Sequence, residues 1–210
     1  MPAQPSFTAN GCSRLVRSIV TFLGASFCVA VGAAEISKSA TLDEVLALAT
    51  RQEPPNKDEG YYTERFSALQ RLGEWPKTSA ADEARIAAAL LASLRATGGN
   101  FRSAGASGLG LRGHSDAIPI IITLGEKEPT LITSFFERYS KHPEAEPSVK
   151  FLRPGLVSKN RFVRSEILSA IASCKAVTLR SEVEAILASD SSSEARNEAA
   201  ITLARACTEL

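Results

Sequence analysis

Apolar residues recur every three to four positions along most of this 210-residue chain, a spacing typical of helices. After Asn160 the apolar positions fall at i, i+4, i+7, i+8 and i+11, which places them on one helical face. These positions are Val163, Ile167, Ala170, Ile171 and Cys174. The β-branched run 120–123 is short, and its length does not separate a strand from a buried helix. Because extended patterns are otherwise scarce, the sequence predicts an all-α fold.

Polar residues mark the start and the end of several predicted helices. Thr41 followed by Glu44 has the form of a capping box. The same signature occurs twice more, at Ser181 with Glu184 and at Ser191 with Glu194. A polar stretch with two prolines, residues 52–60, ends the first helix. The sequence therefore predicts an N-terminal helix and polar linker over residues 35–60, followed by a helical domain over residues 61–210.

A ten-residue pattern recurs along this domain, as is typical of stacked helical repeats. It consists of an apolar residue, an arginine, two spacers, two small or apolar residues, a spacer and a small-apolar-small triplet. The clear copies start at Phe101, Val163 and Ala195, and the first interval is nearly twice the second, which corresponds to two periods and then one. Residues 61–73 form a weaker copy without the arginine. The copy expected near Ile132 carries bulky residues where alanine is usual.

The repeated pattern resembles the HEAT repeat, in particular the short bacterial form that also occurs in bilin-lyase-like proteins. Residues 101–124 follow the family phrase closely, including Gly113 in the turn and Ala117-Ile118-Pro119 at the start of a second helix. The likeness is good over 101–124 and 160–207 and looser over the rest of 61–210. It implies an α-solenoid of roughly four to five stacked antiparallel helical pairs, in which neighbouring pairs close each other's apolar surface.

The resemblance also implies roles for particular residues. In this family the recurrent arginine often pairs with an acidic group or with the backbone near the turns between repeats. A structural role is therefore implied for the three arginines of the pattern, with a ligand-binding ladder as the alternative. They are Arg102, Arg164 and Arg196. Binding is implied along the concave face, which the second helices usually line. The corresponding segments here are 82–95, 115–124, 145–153 and 181–188.

Residues 1–34 differ in composition from the rest of the chain. They contain no Asp, Glu or Lys, their only charges are Arg14 and Arg17, and an apolar stretch runs from residue 19 to residue 31. A basic start, an apolar middle and small residues at the end predict a secretory signal peptide over residues 1–34. A retained membrane anchor is the alternative, although a span needs about 20 apolar residues. Cleavage would give a periplasmic or secreted protein without stable membrane insertion.

The charge balance narrows the class of partner. The chain has 24 basic and 23 acidic residues, so removal of a leader with two arginines leaves 22 against 23, a net charge of −1. Nucleic-acid binding is not favoured, because it relies on a basic excess. The apolar content of 44% together with this balance also excludes a disordered chain.

Two cysteines, Cys174 and Cys207, remain once Cys12 and Cys28 leave with the leader. An even pair in an oxidising compartment suggests a disulfide. Two buried thiols that act as small apolar residues are the alternative. The two positions lie at nearly equivalent levels of successive helices, whose spacing of about 8–10 Å exceeds the usual span of a disulfide. Pairing would therefore need frayed helix ends.

No residue set in the sequence points to catalysis, a metal or a cofactor. Residues 108–113 match G-x-G-x-x-G literally, but the segment 101–107 that precedes them is not a strand. Close helix packing and a turn explain the same glycines. His114 and His142 lie far apart in the sequence and have no clustered cysteines beside them, so a zinc site is not supported. We therefore expect a protein that is not an enzyme and that uses no cofactor.

Aromatic residues offer a candidate interface. Phe136 and Tyr139 could anchor a protein partner, because aromatic side chains often dominate interfaces. Core packing is the alternative, in which one of the adjacent rings Phe135 and Phe136 points away from the other. The sequence thus predicts an exported scaffold, adaptor or assembly factor that binds another protein. A small-molecule-binding or enzyme-modulating protein, as the bilin-lyase-like resemblance implies, is the alternative.

Overall fold

The computed structural model describes residues 36–37, 39–54 and 59–206, and every regular element in this part of the chain is a helix. The predicted all-α fold class is therefore confirmed for these residues. The helices are α1 (Leu42–Thr50), α2 (Glu59–Gly73), α3 (Ala80–Ser93), α4 (Gly99–Leu111), α5 (Ile118–Gly125), α6 (Thr130–Tyr139), α7 (Ala145–Ser148), α8 (Arg153–Leu156), α9 (Arg161–Ser173), α10 (Arg180–Ser189) and α11 (Ser193–Ala206). The β-branched run 120–123 lies within α5.

Five of these helices pack in sequence order. We call α2, α4, α6, α9 and α11 the row helices, because each contacts the next one along the chain. Four further helices pack against them: α3 against α2 and α4, α5 against α6, α8 against α9, and α10 against α11. The first helix, α1, packs against α2 and α3. Short 3₁₀ turns at 115–117, 149–152 and 177–179 lead directly into α5, α8 and α10.

The row helices approach closely where α4 carries glycine. A Cβ on Gly73 of α2 would lie 2.7 Å from the Cα of Gly108, and a Cβ on Gly110 would collide with the carbonyl oxygen of Phe135. Gly113, in the turn after α4, has a φ of 72°, which favours glycine. The glycines of residues 108–113 therefore serve helix packing and a turn, and the motif lies at the end of a helix instead of after a strand.

The aromatic residues of α6 fill the core opposite these glycines. Phe135, Phe136 and Tyr139 are all buried, with the Phe135 and Phe136 rings 4.9 Å apart and the Phe135 and Tyr139 rings 5.0 Å apart. The predicted interface role of Phe136 and Tyr139 is therefore corrected to a core role. The rings pack on one another, so both adjacent phenylalanines lie inside the core.

Capping side chains begin only some of the helices. The N–H of Thr41 donates to Oε2 of Glu44 at 2.7 Å, and the N–H of Glu44 donates to the Thr41 hydroxyl at 3.3 Å, which confirms the first capping box. The two later boxes are wrong. Ser181 lies inside α10, and the hydroxyl at the start of α11 belongs to Ser192 instead of Ser191.

In the described part of the chain, no helix combines the length and apolar character that a membrane span requires. The predicted leader, residues 1–34, lies outside the described residues, so its cleavage stays a prediction.

Candidate functional site

An apolar groove lies where α5 faces the 3₁₀ turn 149–152 and the helix that follows it. Its volume is about 570 Å³. We call it the α5–α8 groove. It is lined by Pro119, Ile122, Thr123, Lys150, Phe151, Arg153, Pro154 and Val157. It draws on two of the four predicted contact segments, 115–124 and 145–153. The other two, 82–95 and 181–188, do not line it.

Large apolar side chains at this groove are exposed to solvent. Phe151 is 46% exposed and Val157 is 80% exposed, and the neighbouring Ile120 on α5 is 41% exposed. Ile122, which also lines the groove, is buried. Leaving apolar area in water forgoes roughly 25 cal/mol for each Å². Exposed apolar side chains beside a groove are candidates for an interaction or ligand site.

Proline and glycine fix the groove walls. Pro119 and Pro154 stand in the first turns of α5 and α8, where a fixed φ favours the helix and no backbone hydrogen bond is lost. A Cβ on Gly155 would lie 2.7 Å from Cγ1 of Ile167, so α8 presses its backbone directly onto α9. The hydroxyl of Thr123 donates to the carbonyl of Pro119 at 2.8 Å. The prolines and the close contact of Gly155 with Ile167 therefore restrict the backbone on both sides of the groove.

The charged side chains that line the groove are both basic. Nζ of Lys150 lies 5.4 Å from the centre of the Phe151 ring. Nε of Arg153 donates to Oε1 of Glu182 on α10 at 2.7 Å. A hydrogen bond from Ser181, with a further contribution from Arg153, holds the pKa of Glu182 below its ordinary value. Glu182 does not itself line the groove, so the lining carries positive charge only.

The positive charge at the groove is also visible in the sequence, although the repeat pattern does not single it out. Between Pro147 and Ser165 the chain has five basic residues and no acidic one, although the whole chain is nearly neutral. They are Lys150, Arg153, Lys159, Arg161 and Arg164. Three exposed apolar residues, Phe151, Val157 and Phe162, are interleaved with them.

Two of the repeat arginines, Arg102 and Arg164, make the same kinds of contact: each donates to a backbone carbonyl and to a carboxylate. Arg102 donates from Nε to Oε2 of Glu128 at 2.7 Å and from Nη1 to the carbonyl of Ala96 at 2.8 Å. Arg164 donates from Nε and Nη2 to the two carboxylate oxygens of Asp190, each at 2.7 Å. Its Nη1 donates to the carbonyl of Ser158, also at 2.7 Å. In both cases the carbonyl lies six residues earlier and the carboxylate 26 residues later.

Arg196 repeats half of this arrangement. It donates from Nη1 to the carbonyl of Asp190, again six residues earlier, at 2.5 Å. All three arginines thus contact turns or loop ends beside the row helices. These are the contacts of residues that hold the fold together, and the hydrogen bond from Arg164 lowers the pKa of Asp190 against the opposing effect of burial.

A fourth arginine occupies the equivalent position in α2. Arg65 stands eight residues before Gly73, as Arg102 stands eight residues before Gly110. Its Nε donates to the carbonyl of Ala49 at 3.1 Å, and its guanidinium lies 4.6 Å from the centre of the Phe101 ring. The weak copy at residues 61–73 thus has an arginine at the same distance from its closing glycine, although its contacts differ from those of Arg102.

Arg112 is a further buried cation that the repeat pattern does not single out. It donates from Nε to Oε2 of Glu83 at 3.1 Å, and from Nη1 to the carbonyls of Leu72 and Trp75 at 3.1 and 2.8 Å. Burial alone would raise the pKa of Glu83, but the hydrogen bonds from Arg112 and from the Thr78 backbone outweigh it and lower that pKa. The pair ties the turn after α4 to α3 and to the end of α2.

The described histidines and cysteine do not assemble into a reactive site. His114 Nδ1 lies 3.8 Å from Oδ1 of Asp116, and the ring of His142 stacks on Tyr139. In the described residues, no group of three His, Cys, Asp or Glu side chains is placed to hold a metal ion. Cys174 is buried, and burial raises the pKa of its thiol to about 12. Cys207 lies outside the described residues, so the disulfide stays a prediction.

Comparison of the chain with known protein families, with curated proteins and with solved structures finds no match.

Proposed function

We propose that this protein is a non-catalytic interaction protein, a scaffold, adaptor or assembly factor of the cell envelope, that binds a polypeptide partner in the α5–α8 groove. The observation that carries the proposal is the exposure of Phe151 and Val157 beside a preformed apolar groove. Protein interfaces use such anchors, in which large apolar side chains are desolvated on binding.

A HEAT-like α-solenoid is part of the same proposal. Its support is the sequential packing of the row helices and the equivalent contacts of Arg102 and Arg164, to a carbonyl six residues earlier and a carboxylate 26 residues later. Repeats that share one such contact set behave as copies of a single structural unit. The groove would then lie among second helices, where proteins of this architecture bind their partners.

A small-molecule ligand is the second candidate, since one observation favours it. The volume of the groove, about 570 Å³, lies within the range of roughly 300–1,000 Å³ that small-molecule sites occupy. Its lining is mostly apolar with a few polar groups, as such sites usually are.

The test is a cross-linked purification of the full-length chain from its native envelope, with wild type compared to Phe151→Asp. Ile201→Asp is the matched control, because Ile201 on α11 is 42% exposed against 46% for Phe151 and lies outside the groove. The proposal expects a stoichiometric protein partner that Phe151→Asp loses at least tenfold and Ile201→Asp retains. The intact mass of the same material should show that residues 1–34 have been removed.

Two results would overturn the polypeptide proposal. A partner retained equally by both variants would place the interaction elsewhere on the molecule. A protein without partner that carries a small molecule in its native mass spectrum, lost in Phe151→Asp alone, would assign the groove to the second candidate.

A further inference from the structure

We infer that the polypeptide segment bound in the α5–α8 groove is acidic as well as apolar: it places a carboxylate beside Lys150 and apolar side chains against Phe151 and Val157. This inference rests on the proposed function and adds the chemistry of the partner.

Lys150 carries a positive charge that no described residue neutralises. This side chain is exposed, and its ammonium has no ion-pair partner among the described residues. Its one described contact is the face of the Phe151 ring, 5.4 Å from Nζ to the ring centre. The nearby Arg153, by contrast, is already engaged by Glu182. A partner carboxylate would therefore find a free cation next to the largest exposed apolar side chain of the groove.

The chain around the groove also carries basic residues, and not all of them are paired. Of the five basic residues between Pro147 and Ser165, three have carboxylate partners within the protein, namely Arg153, Arg161 and Arg164. Lys159, two residues after Val157, has none in the described part of the chain and is exposed. No acidic residue lines the groove, so the charge of its lining is positive. Positive charge of this kind speeds the approach of acidic segments and disfavours basic ones.

A basic and apolar surface could also attract an anionic membrane. The shape of the groove distinguishes this occupant from a polypeptide. The groove is a concave pocket of about 570 Å³, and its lining includes the buried Ile122 and the rigid prolines Pro119 and Pro154. Concave apolar sites accept individual side chains, as in the recognition of an amphipathic segment by a groove. A concave site of this size therefore favours a polypeptide segment over a lipid surface.

The experiment is selection of a random peptide library on the full-length protein, with counter-selection on Phe151→Asp to retain only groove-dependent binders. The inference expects these binders to be enriched in Asp and Glu. One synthesised binder should lose affinity about three- to tenfold in Lys150→Glu, because an exposed charge contact is lost and a repulsion is gained. Lys77→Glu, in the loop between α2 and α3, is the control and should leave the affinity unchanged.

The remaining outcomes are distinct. Groove-dependent binders with neutral or basic composition would overturn the inference and leave the proposed function standing. Absence of any groove-dependent peptide would overturn both. Vesicles of phosphatidylglycerol and phosphatidylcholine are added as a parallel probe, and binding to them that both Phe151→Asp and Lys150→Glu abolish, without peptide binding, would assign the groove to a membrane surface. Thermal unfolding of each variant checks that it is folded.

Discussion

Arg164 makes contacts that its charge alone does not explain. Two of its nitrogens meet the two oxygens of Asp190, and a third meets the carbonyl of Ser158. Only a planar guanidinium presents donors in this arrangement, since an ammonium is a single point charge. The side chains of Arg164 and Asp190 are 11% and 8% exposed, so water cannot replace a lost hydrogen bond easily. The pair is therefore specific to arginine.

Arg164→Lys should for this reason lower the free energy of unfolding by about 2 kcal/mol, although it keeps the positive charge. Arg161→Lys is the control, because the Arg161–Glu194 pair is about half exposed on both sides and such pairs contribute little. We expect that variant to stay within about 0.5 kcal/mol of wild type. Urea unfolding followed by circular dichroism measures both. Equal effects would show that charge alone accounts for Arg164.

At the scale of helices, the sequence predicts which segments are helical better than it predicts where each helix begins. Apolar periodicity is sufficient for α9, where Val163, Ile167 and Ile171 all prove to be buried. The predicted start at Ser181 is wrong because α10 follows a 3₁₀ turn, as α5 and α8 also do, and none of these three starts has a capping hydrogen bond from a side chain. A helix that continues from a 3₁₀ turn leaves no Ser or Thr signal to detect.

At the contact between α4 and α6, we expect helix propensity and tertiary packing to change the free energy of unfolding in opposite directions. Helix propensity favours alanine over glycine by about 1 kcal/mol. Gly110→Ala should nevertheless destabilise the protein by about 2–3 kcal/mol, because the new methyl group would overlap the Phe135 carbonyl, which belongs to a helix backbone and cannot turn away. Ser107→Ala, on the same helix and partly exposed, should be neutral or slightly stabilising. A stabilised Gly110→Ala protein in urea unfolding would contradict this packing.

For the whole molecule, the sequence predicts the fold class and part of the site, and the remainder depends on long-range contacts. Segments 115–124 and 145–153 are expected on a binding face, and the groove lies between them. The exposure of Phe151 is not predictable, because it depends on how the 3₁₀ turn 149–152 sits beside α5. The carboxylate partners of Arg102 and Arg164 lie 26 residues away in sequence and that of Arg112 lies 29 residues away, and no local pattern specifies such pairs.

Because of these long-range pairs, we expect the free energy of unfolding to fall at acidic pH. The hydrogen bond from Arg164 places the pKa of Asp190 in the folded protein below its ordinary value of 3.8, which the unfolded chain retains. The folded state therefore binds this proton less readily than the unfolded state does. The stabilisation by Asp190 is complete above the unfolded pKa and is lost as the pH falls from about 3.8 through the folded pKa. Glu83, whose pKa is also lowered, acts in the same direction from its ordinary value of 4.5.

Asp190→Asn should consequently lower the free energy of unfolding by about 2–3 kcal/mol at pH 7, because it leaves the buried Arg164 guanidinium without its counter-charge. The variant should then lose less additional stability than wild type between about pH 4 and pH 2.5, since the group that takes up the proton is gone. Asp116→Asn is the control, because that side chain is exposed, and it should follow the wild-type curve. Urea unfolding across this pH range measures the slopes. An unchanged acid slope in Asp190→Asn would show that the pair with Arg164 does not govern the acid transition.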